Sequence, residues 1–550
     1  MTMKSVLKLR HYLIPRISDV LFGAVLLYTA VFAGMRMLGD GDTGYHVRAG
    51  ELMLKSGTIL HSDPFSYIRP QLPWTAHEWL AEITMALCHH VAGLPGVVLL
   101  FSLVIAVTNL FFFRMLRDRG AGILLSSAVL LLFITAAKVH WLARPHIFSL
   151  LFMISWYIAL EKLQDGEEIR AWLLPASMVL WVNLHGGYIV GIFLILLYLA
   201  GNLPLYFIDH SEWDAMARQR VVILLKILGW SLVAALLNPL GYKIFLFPFQ
   251  LAMDKTLMDS VQEFLSPNFH EPQMLKYLLF IMVAALVASR RRMPPVHLIL
   301  ILFFLNMALY SVRYTPIFAM VFLPIITRHL DTDDMESYFP RITRFLRRRE
   351  ATVASVDAVA RGGLWPVLVT LVVTFFIVSG KISYSFDPTI KPVAALEFLK
   401  REHVTGNVFN NDEFGDVTIY MLADRYKVFI DGRLDMYHSA GILKEYFKVT
   451  TLQPGWETVL NKYAVGWFFF DTNSVLARFL QAMPGWKLIY SDKVASIFVR
   501  NSPEYQYLIE KYPHVQLAVI DEVKNDFPWW RFSKSECFVV DLKRMDLPAN

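Results

Sequence analysis

Two aspartates, Asp40 and Asp42, open the polar stretch Asp40-Gly-Asp42-Thr-Gly-Tyr45-His46-Val-Arg48-Ala-Gly-Glu51. The stretch follows directly on a long apolar segment, so its carboxylates stand where a helix leaves hydrocarbon. Charge at such a depth is costly unless it works on something, which marks a candidate site. A carboxylate at the mouth of a wet cavity can accept a proton from a hydroxyl or hold a divalent metal. Asp42 and His46 are four residues apart and share one face of a helix that begins at Asp42 or Thr43. Asp42 is also a good N-cap, so a capped interfacial helix with incidental charges is the plainer reading of the spacing alone.

The elements that must position these residues are mostly apolar. The chain has 550 residues, 56% hydrophobic and only 18% charged, with a mean hydropathy of +0.45. An ordinary soluble chain carries about 25% charged residues. Here the apolar excess is gathered into blocks of roughly 14 to 20 residues, the length that crosses hydrocarbon at 1.5 Å per residue. The composition therefore defines a polytopic α-helical membrane protein. Its net charge of +6 does not imply nucleic acid, because Lys and Arg gather in short loops between apolar blocks, as in loops that face anionic lipid from the cytoplasm. Cys88 and Cys537 both fall on the predicted outer side, where a disulfide is open to them but no metal spacing exists. The first apolar block lacks a small-residue cleavage site and is expected to remain as an anchor.

Lys4, Lys8, Arg10 and Arg16 precede the first span, Ser18–Leu38, and place the N-terminus in the cytoplasm of what reads as a bacterial inner-membrane protein. The segment 39–93 is then an outer loop with a surface helix at Tyr45–Lys55 and an interfacial helix at His77–His90. Further spans are expected at Pro95–Phe113, Ala121–Ala137, His146–Leu160, Ala171–Val182, Tyr188–Ile208 and Val221–Leu237. Leu275–Ala288, Pro295–Tyr310, Pro316–Ile326 and Gly363–Ser379 follow, for a total of about eleven. The basic runs, including Arg290-Arg291-Arg292 and Arg347-Arg348-Arg349, read as orientation signals. The outer connections Lys138–His146, Trp181–Gly187, Asn238–Tyr242 and Ser311–Tyr314 carry single polar residues between apolar runs broken by Pro or Gly. Such helix ends line a wet cavity, although any one of them alone reads equally well as snorkelling or capping.

Residues 1–386 form the membrane part and 387–550 a second domain of mixed polarity. Strands are expected at Asn407–Phe409, Tyr426–Ile430, Gly466–Phe470, Trp486–Tyr490 and Ala495–Val499, with helices between them. The alternation predicts an extracytoplasmic α/β domain with a largely parallel sheet. Asp412 follows one of these strands, and Asp431 and Arg433 follow another. Loops at the carboxyl ends of parallel strands bind ligands, and turn or N-cap chemistry explains the same residues as well. An acceptor-binding or lid role is the functional expectation. No phosphate-binding glycine motif is present, so nucleotide binding there has no support.

The offsets of Asp42, Arg48, Ala49 and Glu51 resemble the first external loop of the oligosaccharyltransferase catalytic subunit. Thr43, Val47 and Gly50 depart from that pattern. The whole architecture looks like the GT-C class of membrane glycosyltransferases. The C-terminal part carries no Trp-Trp-Asp-type acceptor motif, so protein N-glycosylation is not supported. The resemblance implies transfer of a sugar from a polyprenyl-phosphate-linked donor to an acceptor glycan, lipid or protein at the outer face. Asp42 would then act as base, with Asp40 as second choice. Arg144 and Arg313 would hold the leaving phosphate, with Arg48 and Lys138 as weaker candidates. His46, His77, Glu78, His140, His146 and His185 lie on the same outer side as cavity residues or as ligands of a divalent metal such as magnesium or manganese. No tight metal signature is present. The competing functions are a transporter or flippase for lipid-linked glycans and an assembly scaffold. Few mid-depth charges and no internal repeat favour the enzyme.

Overall fold

The computed structural model describes residues 13–208, 212–289, 292–329 and 340–518. The first apolar run forms α1 (Ile17–Leu27) and continues through a π-helical turn, Tyr28–Phe32, towards the acidic motif. The motif itself starts α2 (Asp42–Ser56). The expected interfacial helix and second span are joined in one element, α3 (Trp79–Asp118), which breaks at Ala92 and Gly93. Gly93 sits at φ +61 with Pro95 two residues on, a backbone that a side-chain-bearing residue would resist. Helices α4 (Ile123–Ala137), α5 (His146–Gln164) and α6 (Leu173–Leu184) follow. Beyond them run Ile189–Ile208, Glu212–Ala235, Met274–Ala288, Pro295–Tyr310 and Thr315–His329. The basic stretch forms α7 (Pro340–Val359), and α8 (Leu364–Val378) follows it.

The expected count of about eleven spans is not reproduced. Among the described residues four helices are long and apolar enough to cross a membrane, and a fifth appears if α7 and α8 are taken as one bent pair. Four shorter apolar helices accompany them, Ile17–Phe32, α6, Met274–Ala288 and Pro295–Tyr310. In two of them, α6 and Pro295–Tyr310, the chain leaves the α-helix early at one end of the bundle. There it runs through 3-10 turns such as Gly186–Tyr188 and Val312–Tyr314. Arg290 and Arg291 lie outside the described residues, as does the Cys537 half of the Cys88–Cys537 pair.

The C-terminal elements form a four-stranded sheet of β1 (Asn407–Asn410), β2 (Val465–Asp471), β3 (Trp486–Ser491) and β4 (Ala495–Arg500), in the order β1-β2-β4-β3. Only β1 and β2 run parallel, while β4 pairs antiparallel with both β2 and β3. The largely parallel sheet expected from the alternation is thus mixed. A tight turn joins β3 to β4, where the Asp492 carboxylate accepts the N–H groups of Val494 and Ala495, and a turn this short dictates an antiparallel pair. Tyr426–Ile430, expected as a strand, does not join the sheet. Its backbone pairs instead with the outer loop, Tyr67 N–H donating to Val428 O and Val428 N–H to Phe65 O.

That pairing shows how the C-terminal part is held. Helix α9 (Asp412–Leu422) lies against α2 so closely that a Cβ at Gly44 would come within 2.6 Å of Asp416 O. The expected surface helix Tyr45–Lys55 is consequently buried along Tyr45, His46, Val47, Ala49, Gly50 and Met53, between α3 on one side and α9 on the other.

A guanidinium completes the junction. Arg433 Nη2 donates to Asp63 Oδ1 and Asp431 Oδ2, each at 2.6 Å, and its Nε donates to Asp431 Oδ1 at 2.7 Å. Trp74 lies under the same group, its ring centroid 4.5 Å away. Burial alone would raise the Asp63 carboxyl, but Arg433 and the Ser66 and Phe65 hydrogen bonds outweigh it, so Asp63 ionises below the ordinary aspartate range. A depressed carboxyl contributes its full stability above the unfolded value of about 4 and loses it as pH falls through the folded value. The thermal unfolding midpoint of the detergent-purified protein is therefore expected to drop below about pH 4, and Asp63→Asn is expected to flatten that slope. An equally steep acid limb in Asp63→Asn would contradict the assignment.

Candidate active site

The site is built where two loops zip together. Ala143 N–H donates to Met37 O, and Thr43 Oγ1 donates to Ala143 O at 3.0 Å. This brings Arg144, which lies between α4 and α5, against the start of α2. Arg144 Nη1 donates to Asp40 Oδ2 at 2.5 Å, and its Nη2 lies 2.7 Å from Asp42 Oδ2. Burial alone would lower the Arg144 pKa, but Asp40 and Asp42 hold it well above the ordinary range. Asp40 also accepts the N–H of Asp42. Asp42 is the first residue of α2, with Gly41 as its N-cap, so the expected side-chain cap at Asp42 is not made. Its carboxylate turns outward instead, at the positive end of the helix.

Outward means into a cavity of about 490 Å³. Of the residues singled out in sequence, Asp42, His46, His77, Glu78, His140, Arg144, His146, His185, Arg313 and Asp412 line it. Asp40 stands behind Asp42 and positions it through Arg144. Arg48 does not reach the cavity. Its guanidinium donates to Glu51 and to Tyr420 O of α9, so the expected phosphate ligand is a tie to the C-terminal part. Asp431 and Arg433, expected in an open binding loop, form the enclosed ion pair described above. Gly432 between them does close on the site, and a Cβ there would meet Asp42 Oδ1 at 2.2 Å.

Hydrogen bonds fix the polar groups of the wall. Gly187 N–H donates to His185 Nδ1 at 2.9 Å, and Ser149 Oγ lies 2.7 Å from the same nitrogen. The His185 proton therefore sits on Nε2. That nitrogen faces Glu78 Oε1 at 3.8 Å, beyond hydrogen-bond reach. Burial, with Arg313 and His146 nearby, keeps His185 neutral by lowering its pKa well below the usual value. The Glu78 carboxyl is raised by burial, even though His77 and the Gly186 N–H favour its charge. His46 is buried against Glu82 Oε1 at 3.2 Å and is held neutral, first by burial and then by Arg144. Arg313 bonds to Glu263 Oε1 at 3.2 Å, with its guanidinium over the Phe264 ring.

Apolar residues outside the sequence-based expectation share the lining. Two short helices, Phe247–Met253 and Lys255–Ser260, contribute Phe247, Pro248, Leu251 and Leu257, alongside Met307 and Tyr310, and the Phe247 ring lies 4.6 Å from that of His77. The Asp254 carboxylate caps the second helix through Leu257 N–H and pairs with His438 of α10 (Leu434–Ser439). Glu82, Ser149 and Glu263 were also missed as partners of the chosen residues. The Asn238–Tyr242 connection acts as a bracket rather than a cavity wall, its Asn238 amide donating to His77 O and Val182 O.

No group of three His, Cys, Asp or Glu among the described residues is disposed to hold a metal ion. The place between Asp40 and Asp42, where a divalent cation would sit, is taken by the Arg144 guanidinium. The residues present do not fit a metal there.

These features define a polytopic helical membrane protein in which an acidic first loop and a mixed C-terminal layer close over one end of the bundle. Among solved structures, the archaeal oligosaccharyltransferase AglB from Archaeoglobus fulgidus, in complex with an inhibitory peptide and a dolichol-phosphate, is similar to this chain. The TM-score is 0.52 at 12% identity, over 83% of this chain and 69% of that one. The likeness is one of fold. No protein-family model and no curated protein matches the chain.

Proposed function

We propose that the protein transfers a sugar from a polyprenyl-phosphate-linked donor to an acceptor hydroxyl on the outer side of the membrane. The observation that carries the reading is Asp42, an acid 2% exposed and set at a cavity lined by both polar and apolar side chains. Phe247, Leu251 and Leu257 suit the first isoprene units of a lipid carrier. Arg313 and the His185 Nε2–H suit its phosphate. As the glycosidic bond breaks, the sugar carbon takes on oxocarbenium character and the acceptor hydroxyl loses its proton to Asp42. The electron pair of the broken bond leaves on the phosphate oxygen. The similar AglB structure, with its dolichol-phosphate, supports a lipid-phosphate donor.

A transporter would instead need charges lining a path. Glu161, a buried acid of the membrane part away from the cavity, is enclosed by Arg119, His297 and Tyr198, and Asp19, another, accepts the Gly363 N–H, arrangements that pin helices together. The function is tested by supplying membranes with polyprenyl phosphate bearing a radiolabelled sugar. Label should pass from the lipid to the acceptor fraction, and label that only changes leaflet while staying on the lipid would favour the flippase.

Arg144 already bridges the two aspartates, so transfer by the purified protein is expected to persist in a strong chelator and to gain nothing from added magnesium or manganese. Activity that vanishes with EDTA and returns with metal would refute the guanidinium's role.

A further inference from the structure

The basic stretch is more than an orientation signal. Helix α7 carries five arginines, Arg341, Arg344, Arg347, Arg348 and Arg349, all exposed. Three of them, Arg341, Arg344 and Arg348, follow one another at the i, i+3, i+7 spacing of a single helix face. Beside them Ile342, Phe345 and Leu346 form an apolar stripe, exposed by 59%, 57% and 47%. The helix also has two acids, and both face the protein. Glu350 accepts the N–H groups of Ile123 and Leu124 at the start of α4, and Asp357 accepts the N–H of Ile17 at the start of α1. What remains on the outer surface is positive charge beside apolar area.

The corner with α8 sets this helix in place. Gly362 and Gly363 take φ of +65 and +86, and the two helices meet at 75°. Helix α8 is apolar, so a helix that meets it at this angle runs along the surface of a bilayer that α8 enters. Because it touches the beginnings of α1 and α4, whose other ends lead to Asp40 and His140, it lies at the end of the bundle opposite the cavity. A charge signal for topology needs neither an exposed apolar stripe nor a right-angled corner, whereas an interfacial helix needs both.

We propose that α7 lies in the membrane interface and binds anionic phospholipid headgroups, with Ile342, Phe345 and Leu346 among the acyl chains and the arginines on the phosphates. Each basic residue near an anionic surface strengthens binding about fivefold. The full chain, purified in neutral detergent, is titrated with phosphatidylglycerol or phosphatidylcholine of the same acyl length, and retained lipid is counted by native mass spectrometry. Wild type should retain phosphatidylglycerol preferentially. The triple variant Arg341→Gln/Arg344→Gln/Arg348→Gln should lose that preference by about a hundredfold with its thermal unfolding midpoint in detergent unchanged. Phe345→Ser should weaken both lipids alike. Equal retention of the two lipids by wild type would overturn the proposal and leave the stripe to a protein partner. So would a triple variant that folds and keeps the preference.

Discussion

Asp42→Asn is expected to lower sugar transfer by ~10²–10⁴-fold, the usual worth of a positioned general base. The amide keeps the size of the acid and can still accept one hydrogen bond from Arg144, so insertion, folding and lipid-donor binding should survive. Asp40→Asn should act differently. Asp40 does not line the cavity, and it holds Arg144 and the Asp42 N–H, so its loss should slow transfer without abolishing it. The measurement is turnover of a polyprenyl-phosphate sugar by each purified variant, beside its thermal unfolding midpoint. Undiminished transfer by Asp42→Asn would end the catalytic assignment, and an unfolded Asp42→Asn would shift the residue's role to structure.

The largest stability effect is expected at Arg433→Met. Removing one member of a buried ion pair leaves charge without compensation and costs about 3–5 kcal/mol. Arg433 is 3% exposed and serves two carboxylates, so Asp63 and Asp431 would both lose their counter-charge and keep only neutral donors such as the Phe65 N–H and the Tyr437 hydroxyl. Arg433→Lys should recover only part of the loss, because an ammonium cannot fork between two acids. The measurement is the thermal unfolding midpoint of each purified variant, followed by the intrinsic fluorescence of the whole protein. An unchanged midpoint in Arg433→Met would mean that apolar packing, not the ion pair, holds the outer loop to the C-terminal part.

Asp42 was legible because its signal is local: an apolar run of membrane length ends and acid appears. Arg144 and the cavity histidines were legible as a class, since single polar residues at Pro- or Gly-broken helix ends have few structural uses. Their pairing was not legible. The zip between Ala143 and Met37, which brings Arg144 to both aspartates, joins segments far apart in sequence and leaves no mark in either. The place of Arg433 stays open in sequence for a related reason: a charged residue after an apparent strand fits a ligand-binding loop or turn chemistry equally until Asp63 is known to lie against it. The strand reading of Tyr426–Ile430 was right about extension and wrong about partner, because a β-branched run pairs with whatever backbone is offered. The short helices Phe247–Met253 and Lys255–Ser260 escaped notice, being too brief for a span and too apolar for a loop. Hydropathy alone does not set the span count, since several apolar runs form helices of 10–17 residues.

The contact between Gly432 and the Asp42 carboxylate ties the ancestry of the two halves of the chain together. A Cβ at 432 would press on the Asp42 carboxylate, so a lineage that keeps the acid at 42 is expected to keep glycine at 432, and the two positions should be inherited as a pair. Exchanging the C-terminal portions of two diverged paralogues should then yield inactive chimaeras unless the first loop travels with them.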